Sequence, residues 1–250
     1  MHLWVASPEQ CQQPNLIETY SSWLDDQESE RYGRFRFPQH RQEYLVAHAL
    51  LRSCLSRYGE RQPWEWEFSA NPYGRPEIQV EQGVPPLRFN LSHTTGLVTC
   101  AVTRSADVGV DVEQTTRQGD LGAIAPSSCA PQELTELNCL EGTAWGDRFF
   151  DLWTLKEAYI KARGLGLSLP LQQFAFRFEP GGVGPIEFDS DSESNPPEDW
   201  KFGLLSPTSH HRLAVAVRCP GPLRIQVGWA IPGGEFQVMQ LPMVTSRGVA

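Results

Sequence analysis

Residues 108–113 read Val108-Gly109-Val110-Asp111-Val112-Glu113. In a β-strand successive side chains point to opposite faces, so the three valines line one side while Asp111 and Glu113 stand together on the other. Two neighbouring carboxylates repel unless a cation or a proton intervenes. The stretch therefore has two readings: an edge strand with a solvated acidic face, or a strand offering paired oxygen ligands to a hard cation. Oxygen donors with neither His nor Cys beside them suit Mg²⁺ or Mn²⁺ better than zinc.

Outward from this strand the chain shows one order of elements twice. Upstream, Pro38 opens a stretch with apolar residues at Tyr44, Ala47, Leu51, Leu55 and Tyr58, a helical spacing that ends at Gly59. Strand-like runs follow at Trp64–Phe68, Glu77–Val80, Leu87–Ser92 and Leu97–Thr103, punctuated by Asn71-Pro72-Tyr73-Gly74 and Gly83-Val84-Pro85-Pro86. Downstream, a short helix is expected at Pro131–Leu140, and Asp147 caps a helix running to about Ala162, stopped by Gly164 and Gly166. Strand-like runs follow at Phe174–Phe178, Trp200–Leu205, Leu213–Val217 and Ile225–Trp229, with Asp189–Asp199 an exposed acidic loop. A helix and then several short strands, twice over, predicts an α+β fold of two related halves. Each is a helix packed on a small, mostly antiparallel sheet. The expected division is 1–105 and 106–250, the second half carrying the acids.

Composition narrows the function classes. The chain has 250 residues, 21 basic and 30 acidic, for a net charge of −9, with ordinary globular aromatic and charged content. That balance argues against general nucleic-acid binding, which needs a basic footprint. The longest apolar stretch, Gly96 to Val102, is far short of a membrane span. Met1–Gln10 has no basic n-region and is not read as a secretory signal. Cys11, Cys54, Cys100, Cys129, Cys139 and Cys219 show no metal-like spacing, and the expectation is reduced thiols in a cytoplasmic protein. Charge is uneven: Arg31–Arg61 holds seven arginines against two acids, whereas Glu179–Asp199 holds seven acids and no base. Lysine occurs only at 156, 161 and 201, and two of these flank one turn of Trp153-Thr154-Leu155-Lys156-Glu157-Ala158-Tyr159-Ile160-Lys161.

On a helix Glu157 and Lys161 form an i, i+4 pair in the favourable order. The pair reads either as a surface ion pair or as a carboxylate completing a metal site beside an ammonium for a substrate phosphate. In Phe89-Asn90-Leu91-Ser92-His93-Thr94, Ser92 and His93 point to opposite faces, and no Gly-x-Ser-x-Gly elbow exists, which argues against a nucleophile–base pair. His93 then either meets a phosphate or caps the turn. The cluster Arg31, Arg34, Arg36, His40 and Arg41 can grip a phosphate, form a solvated surface at the start of a helix, or dock an acidic partner. No Gly-x-x-x-x-Gly-Lys loop is present, which removes the P-loop enzymes.

Four of these stretches, in order, carry a family resemblance: Gly74-Arg75-Pro76, Phe89-Asn90-Leu91-Ser92-His93, Val108 to Glu113, and Trp153 to Lys161. Together, with Gly164-Leu165-Gly166-Leu167-Ser168-Leu169-Pro170 after the last, the chain resembles the 4′-phosphopantetheinyl transferase superfamily, of the large monomeric, surfactin-synthetase-activating type. The resemblance implies a pseudo-dimer with coenzyme A bound at an active site at the interface between the halves. It implies transfer of 4′-phosphopantetheine to a serine of an apo acyl or peptidyl carrier protein, releasing 3′,5′-adenosine bisphosphate. Carried over residue by residue, Asp111, Glu113 and Glu157 hold Mg²⁺ (or Mn²⁺), with Asp111 also on the coenzyme side. Lys161 contacts the pyrophosphate and protonates the leaving group. His93 and Arg41, with Arg31 as the second candidate, take the 3′-phosphate, while Arg75 and Ser92 lie against the nucleotide. Glu157 is the candidate base, and Lys156, about 100° away on the helix, has no catalytic role. Relatives often supply Lys near the first helix, where this chain has only Arg. The implied protein is a monomer that uses no nucleic acid and no membrane. The alternatives are another Mg²⁺-dependent phosphoryl-transfer enzyme, or a non-enzymatic adaptor whose arginines dock acidic carrier domains.

Overall fold

The computed structural model describes residues 1–79, 86–116, 119–166, 169–179, 184–190 and 196–250. Contacts divide the chain into two units, Met1–Ser105 with Gln226–Gln240, and Ala106–Ile225 with Leu241–Ala250. In chain order, the first unit contains β1 (His2–Ala6), α1 (Pro14–Trp23), α2 (Asp26–Arg34), α3 (Pro38–Leu55), β2 (Phe68–Ala70), β3 (Pro76–Ile78), β4 (Leu87–Thr94) and β5 (Leu97–Arg104). The second contains β6 (Val108–Gln114), α4 (Leu121–Ser128), α5 (Pro131–Leu137), α6 (Gly142–Arg163), β7 (Phe174–Arg177), β8 (Glu187–Ser190), β9 (Trp200–Thr208) and β10 (His211–Arg218). The chain then returns to the first unit as β11 (Gln226–Ala230) and β12 (Phe236–Met239), and ends with β13 (Met243–Thr245) in the second. The fold class is α+β. Among the described residues, no helix is long and apolar enough to cross a membrane.

In the first unit the sheet runs β12-β11-β1-β5-β4, antiparallel except for the parallel β1–β11 pair. Ala47, Leu51 and Leu55 of α3, from the expected helical spacing, are buried in one core with Trp4, Val98, Cys100 and Val102 of the sheet, and Leu45, Ala49, Leu50 and Cys54 of the same helix join them. The sequence reading stopped short of α2, although its start is written in the chain. Asp25 Oδ1 accepts from the Glu28 amide at 2.8 Å, and Glu28 Oε2 accepts from the Asp25 amide at 3.0 Å, a reciprocal cap. Trp64–Phe68 is not a strand as expected. Pro63–Glu65 turns in a 3-10 helix, closed where Glu65 Oε2 accepts the Gln62 amide at 2.6 Å, and only Phe68–Ala70 pairs with β3.

A second correction concerns 226–240, which the sequence placed in the second half. These residues extend the first unit's sheet because Gly228 lies opposite Trp4 in the β1–β11 register. A Cβ on Gly228 would overlap the Trp4 ring, so only a glycine admits that buried indole. The expected turn at 83–85, Leu167 and Ser168, and residues 191–195 of the acidic loop lie outside the described residues.

In the second unit the sheet runs β13-β9-β10-β6, all antiparallel, with β7–β8 a separate hairpin. α6 lies on β6 and β10 over a core that includes Phe149, Leu155, Tyr159, Phe174 and Phe202. It starts at Gly142, earlier than the expected Asp147, where Trp145 stacks on Phe149 and gives an added turn apolar contact. Gly164, at φ 62°, ends it as a left-handed cap.

Candidate functional site

The site forms where α6 crosses β6. Val108, Val110 and Val112 are buried on one face of the strand, and Gly109, Asp111 and Glu113 alternate onto the other. An added Cβ on Gly109 would overlap the Ala158 carbonyl and the Ala162 amide nitrogen, so the helix backbone rests directly on this glycine. On β10, Ala214 and Ala216 stand opposite Asp111 and Gly109, and their small side chains keep the same lane open. Three small residues thus let α6 approach closely enough for its side chains to reach the strand's carboxylates.

Lys161 on α6 donates to Asp111 Oδ1 at 2.6 Å. The Trp153 indole N–H donates to Glu113 Oε1 at 2.9 Å. Burial first, and then the Asp111 carboxylate, push the Glu157 carboxyl above its ordinary range; Lys161 opposes this and Glu113 adds to it. Four charged groups therefore share one neighbourhood, three carboxylates against one ammonium. β6 is an edge strand of its sheet, as one reading held, but its acidic face is only partly solvated: Glu113 is half-buried and Asp111 only 5% exposed. Lys161 also reaches beyond its own helix, to the strand's Asp111.

The donor chemistry of this cluster suits a hard divalent cation, which would relieve the mutual repulsion that raises Glu157. Among the described residues, no three His, Cys, Asp or Glu side chains already converge as a cage, and Lys161 neutralises part of the charge at Asp111. Lys156, the next residue round the helix, is turned away into the interior and pairs with Glu133 of α5 at 2.8 Å. Glu133 escaped the sequence reading, and so did the role of Trp153. An indole donor on the same helix as Glu157 was the available signal for Trp153, whereas nothing local marked Glu133.

The other expected residues belong to the first unit. In the turn before β3, Asn71 Oδ1 accepts from the Tyr73 and Arg75 amides at 2.9 Å each, and Gly74 takes φ 84°, which orients Arg75. Arg75 Nη2 then donates to Glu77 Oε1 at 2.8 Å. On β4, Ser92 is buried and His93 exposed, the opposite-face arrangement that alternation predicts. Arg31 places its guanidinium 5.6 Å from the Tyr44 ring centre, at the wall of a cavity of about 670 Å³ shared with Arg34, Phe35, His48 and Pro76. Arg41 does not line the cavity itself; it donates to the carbonyl of the lining residue Phe35 at 2.9 Å and covers the Tyr32 ring. Glu28, which also lines the cavity, accepts from Arg52 Nη2 at 2.6 Å and lies 2.7 Å from His48 Nδ1. Burial alone would raise Glu28, but His48 and Arg52 outweigh it and hold the carboxyl at about 2.

Comparison with known proteins places these features in a family. A family model described as the 4′-phosphopantetheinyl transferase superfamily matches residues 107–217, and one described as 4′-phosphopantetheinyl transferase, N-terminal, matches residues 7–105. The chain is 33% identical over 177 residues to the 4′-phosphopantetheinyl transferase Sfp of Bacillus subtilis, covering 71% of this chain and 76% of that one. It is 32% identical over 168 residues to the 4′-phosphopantetheinyl transferase HetI of a Nostoc species, covering 67% and 70%. Among solved structures, a holo-(acyl-carrier-protein) synthase from Bacillus anthracis, in complex with CoA (3′,5′-ADP), aligns with 44% of this chain and 93% of its own. Its TM-score is 0.37 at 17% identity.

Proposed function

The chain belongs to the 4′-phosphopantetheinyl transferase superfamily and is an enzyme of that family; on that premise, we propose that it transfers 4′-phosphopantetheine from coenzyme A to a serine of an apo acyl or peptidyl carrier protein, releasing 3′,5′-adenosine bisphosphate with Mg²⁺. The observation that carries this reading is the meeting of α6 and β6, where Lys161 and Asp111 touch and Glu157 feels both Asp111 and Glu113.

Asp111, Glu113 and Glu157 would hold the metal, which supplies Lewis-acid neutralisation of pyrophosphate charge when bound. The protein's own groups do the rest. Glu157, whose carboxyl burial and Asp111 raise above its ordinary range, is placed to take the proton from the carrier serine hydroxyl. The serine oxygen bonds to the β-phosphorus, and the bond from that phosphorus to the bridging oxygen breaks. Lys161 is a compact ammonium that follows the changing phosphate geometry and can deliver a proton to the departing oxygen. Trp153 holds Glu113 in place. For the 3′-phosphate we assign His93 with Arg41 or Arg31, and for the nucleotide Arg75 and Ser92. No covalent enzyme intermediate is required, in keeping with the lack of an activated nucleophile in the sequence.

The test is intact-mass spectrometry of an apo carrier protein incubated with this protein, coenzyme A and Mg²⁺, beside an EDTA control. A metal-dependent gain of one phosphopantetheine supports the assignment. No gain on peptidyl, polyketide or fatty-acid carriers would refute it.

A further inference from the structure

Lys156 has three ammonium protons and nowhere in water to place them: its side chain is 1% exposed. All three meet an acceptor. Nζ lies 2.8 Å from Glu133 Oε2 and donates to the Leu171 and Phe174 carbonyls at 2.7 Å each. Glu133 is fully buried and equally saturated. Its Oε2 also accepts the Ala130 amide at 2.7 Å, closing the start of α5, and its Oε1 accepts the Phe176 amide of β7 at 2.8 Å. One ion pair therefore joins α5, the turn before β7, β7 itself and α6.

A tripod of this kind has one solution. Rotating or sliding α6 would pull the ammonium off at least one of its three acceptors in a buried setting, where unmade hydrogen bonds are costly. Arginine, with a planar fork, could not reproduce the three-way geometry. This accounts for a lysine in a chain that uses arginine nearly everywhere. Glu157 and Lys161 follow Lys156 by one and five positions on the same helix, so whatever fixes the rotation of Lys156 fixes theirs. At ~6 Å from the helix axis, a rotation of ~10° moves a side-chain group by about 1 Å. Displacements of that size at reacting groups can cost on the order of a hundredfold in rate.

We propose that Glu133 and Lys156 are positioning residues for the reaction: their buried pair sets the rotation of α6 and so holds Glu157 and Lys161 against β6. This rests on the transferase reading for its consequence in rate, but the placement of Lys161 can be measured without turnover.

The experiment uses two variants of the full chain. Glu133→Gln removes the charge at constant shape. Glu133→Asp keeps the charge and retracts it by one methylene, a second way of loosening the pair that keeps its ionic character. Lysine side-chain NMR of ¹⁵N-labelled protein gives one resonance for each of Lys156, Lys161 and Lys201, assigned with Lys161→Arg and Lys201→Arg. kcat and KM are read on an apo carrier with coenzyme A and Mg²⁺, at a temperature where near-ultraviolet circular dichroism shows each variant folded. The expected result is a shifted Lys161 resonance in a folded variant, with kcat down tenfold to a hundredfold and the carrier KM within about twofold. A folded variant with an unmoved Lys161 resonance and wild-type kcat would overturn the proposal. So would failure of both variants to fold, which would reduce the pair to a folding requirement. If the wild-type chain transfers nothing, the function falls, while the Lys161 resonance still decides the positioning role.

Discussion

Lys161 Nζ on α6 and Asp111 Oδ1 on β6 lie 2.6 Å apart, although fifty positions separate them in the chain. Their contact exists because Gly109, one alternation before Asp111, has no side chain to hold the helix off. The ammonium enters a neighbourhood of three carboxylates, and the negative charge it leaves uncompensated suits a divalent cation, while the ammonium itself suits an anion.

Gly109→Ala should test that dependence. The new methyl would meet helix backbone rather than a flexible side chain, so α6 must move. We expect a loss of about 1–3 kcal/mol in stability by denaturant unfolding, with kcat reduced by far more than the unfolded fraction explains. A folded variant with kcat within twofold of wild type would show that close helix approach is not needed.

Glu157→Gln should cut transfer on the order of a hundredfold or more while the fold survives. Its carboxyl is raised by burial and by Asp111, so the folded state binds its proton more tightly than the unfolded chain does. Its contribution to stability is therefore present below the ordinary 4.5 and lost as pH rises through the raised value. In EDTA at pH 7 the variant should melt at or above wild type. A lower melting temperature there would contradict the electrostatic account, and near-wild-type turnover would remove Glu157 from the site.

Arg41→Ala should weaken coenzyme A by about tenfold to a hundredfold, the scale of a hydrogen bond to a charged group, and leave 3′-dephospho-coenzyme A nearly unaffected. Isothermal calorimetry on both ligands reads the difference. Equal weakening of the two would move the 3′-phosphate to Arg31, whose guanidinium lies at the cavity wall over Tyr44.

Glu28→Gln should destabilise the first unit in a pH-dependent way. His48 and Arg52 hold the folded carboxyl at about 2 against an ordinary 4.5, so its contribution is full above 4.5 and disappears as pH falls through about 2. The shift corresponds to about 3 kcal/mol at pH 7. Urea unfolding of wild type and variant should therefore diverge at pH 7, narrow as pH falls below 4.5, and converge only as pH approaches 2. A gap independent of pH would assign the loss to packing.

How far the site could be read before folding depended on the range of each signal. Alternation along β6 and the helical spacing of Glu157 and Lys161 are local, and both survive in the structure. The reciprocal cap of Asp25 and Glu28 was equally local and went unread, and it starts a helix whose Glu28 anchors His48 and Arg52. The alternation of Trp64–Phe68 misled, because a side-chain cap from Glu65 bent the chain before a strand could form. Glu133 carried no signal of its own, being one glutamate among many in the sequence.

By itself the sequence determined which face of β6 bears carboxylates, which helix bears the facing glutamate and lysine, and, through four motifs in order, the family. These follow from periods of two and 3.6 residues and from short-range chemistry, which need no knowledge of distant partners. Only the tertiary structure decided that Lys161 meets Asp111, that Lys156 turns inward to Glu133, and that residues 226–240 go back to pair with β1. Each of those outcomes depends on close packing, through the missing side chains of Gly109 and Gly228 and the buried tripod of Lys156. Packing joins residues that no local period connects.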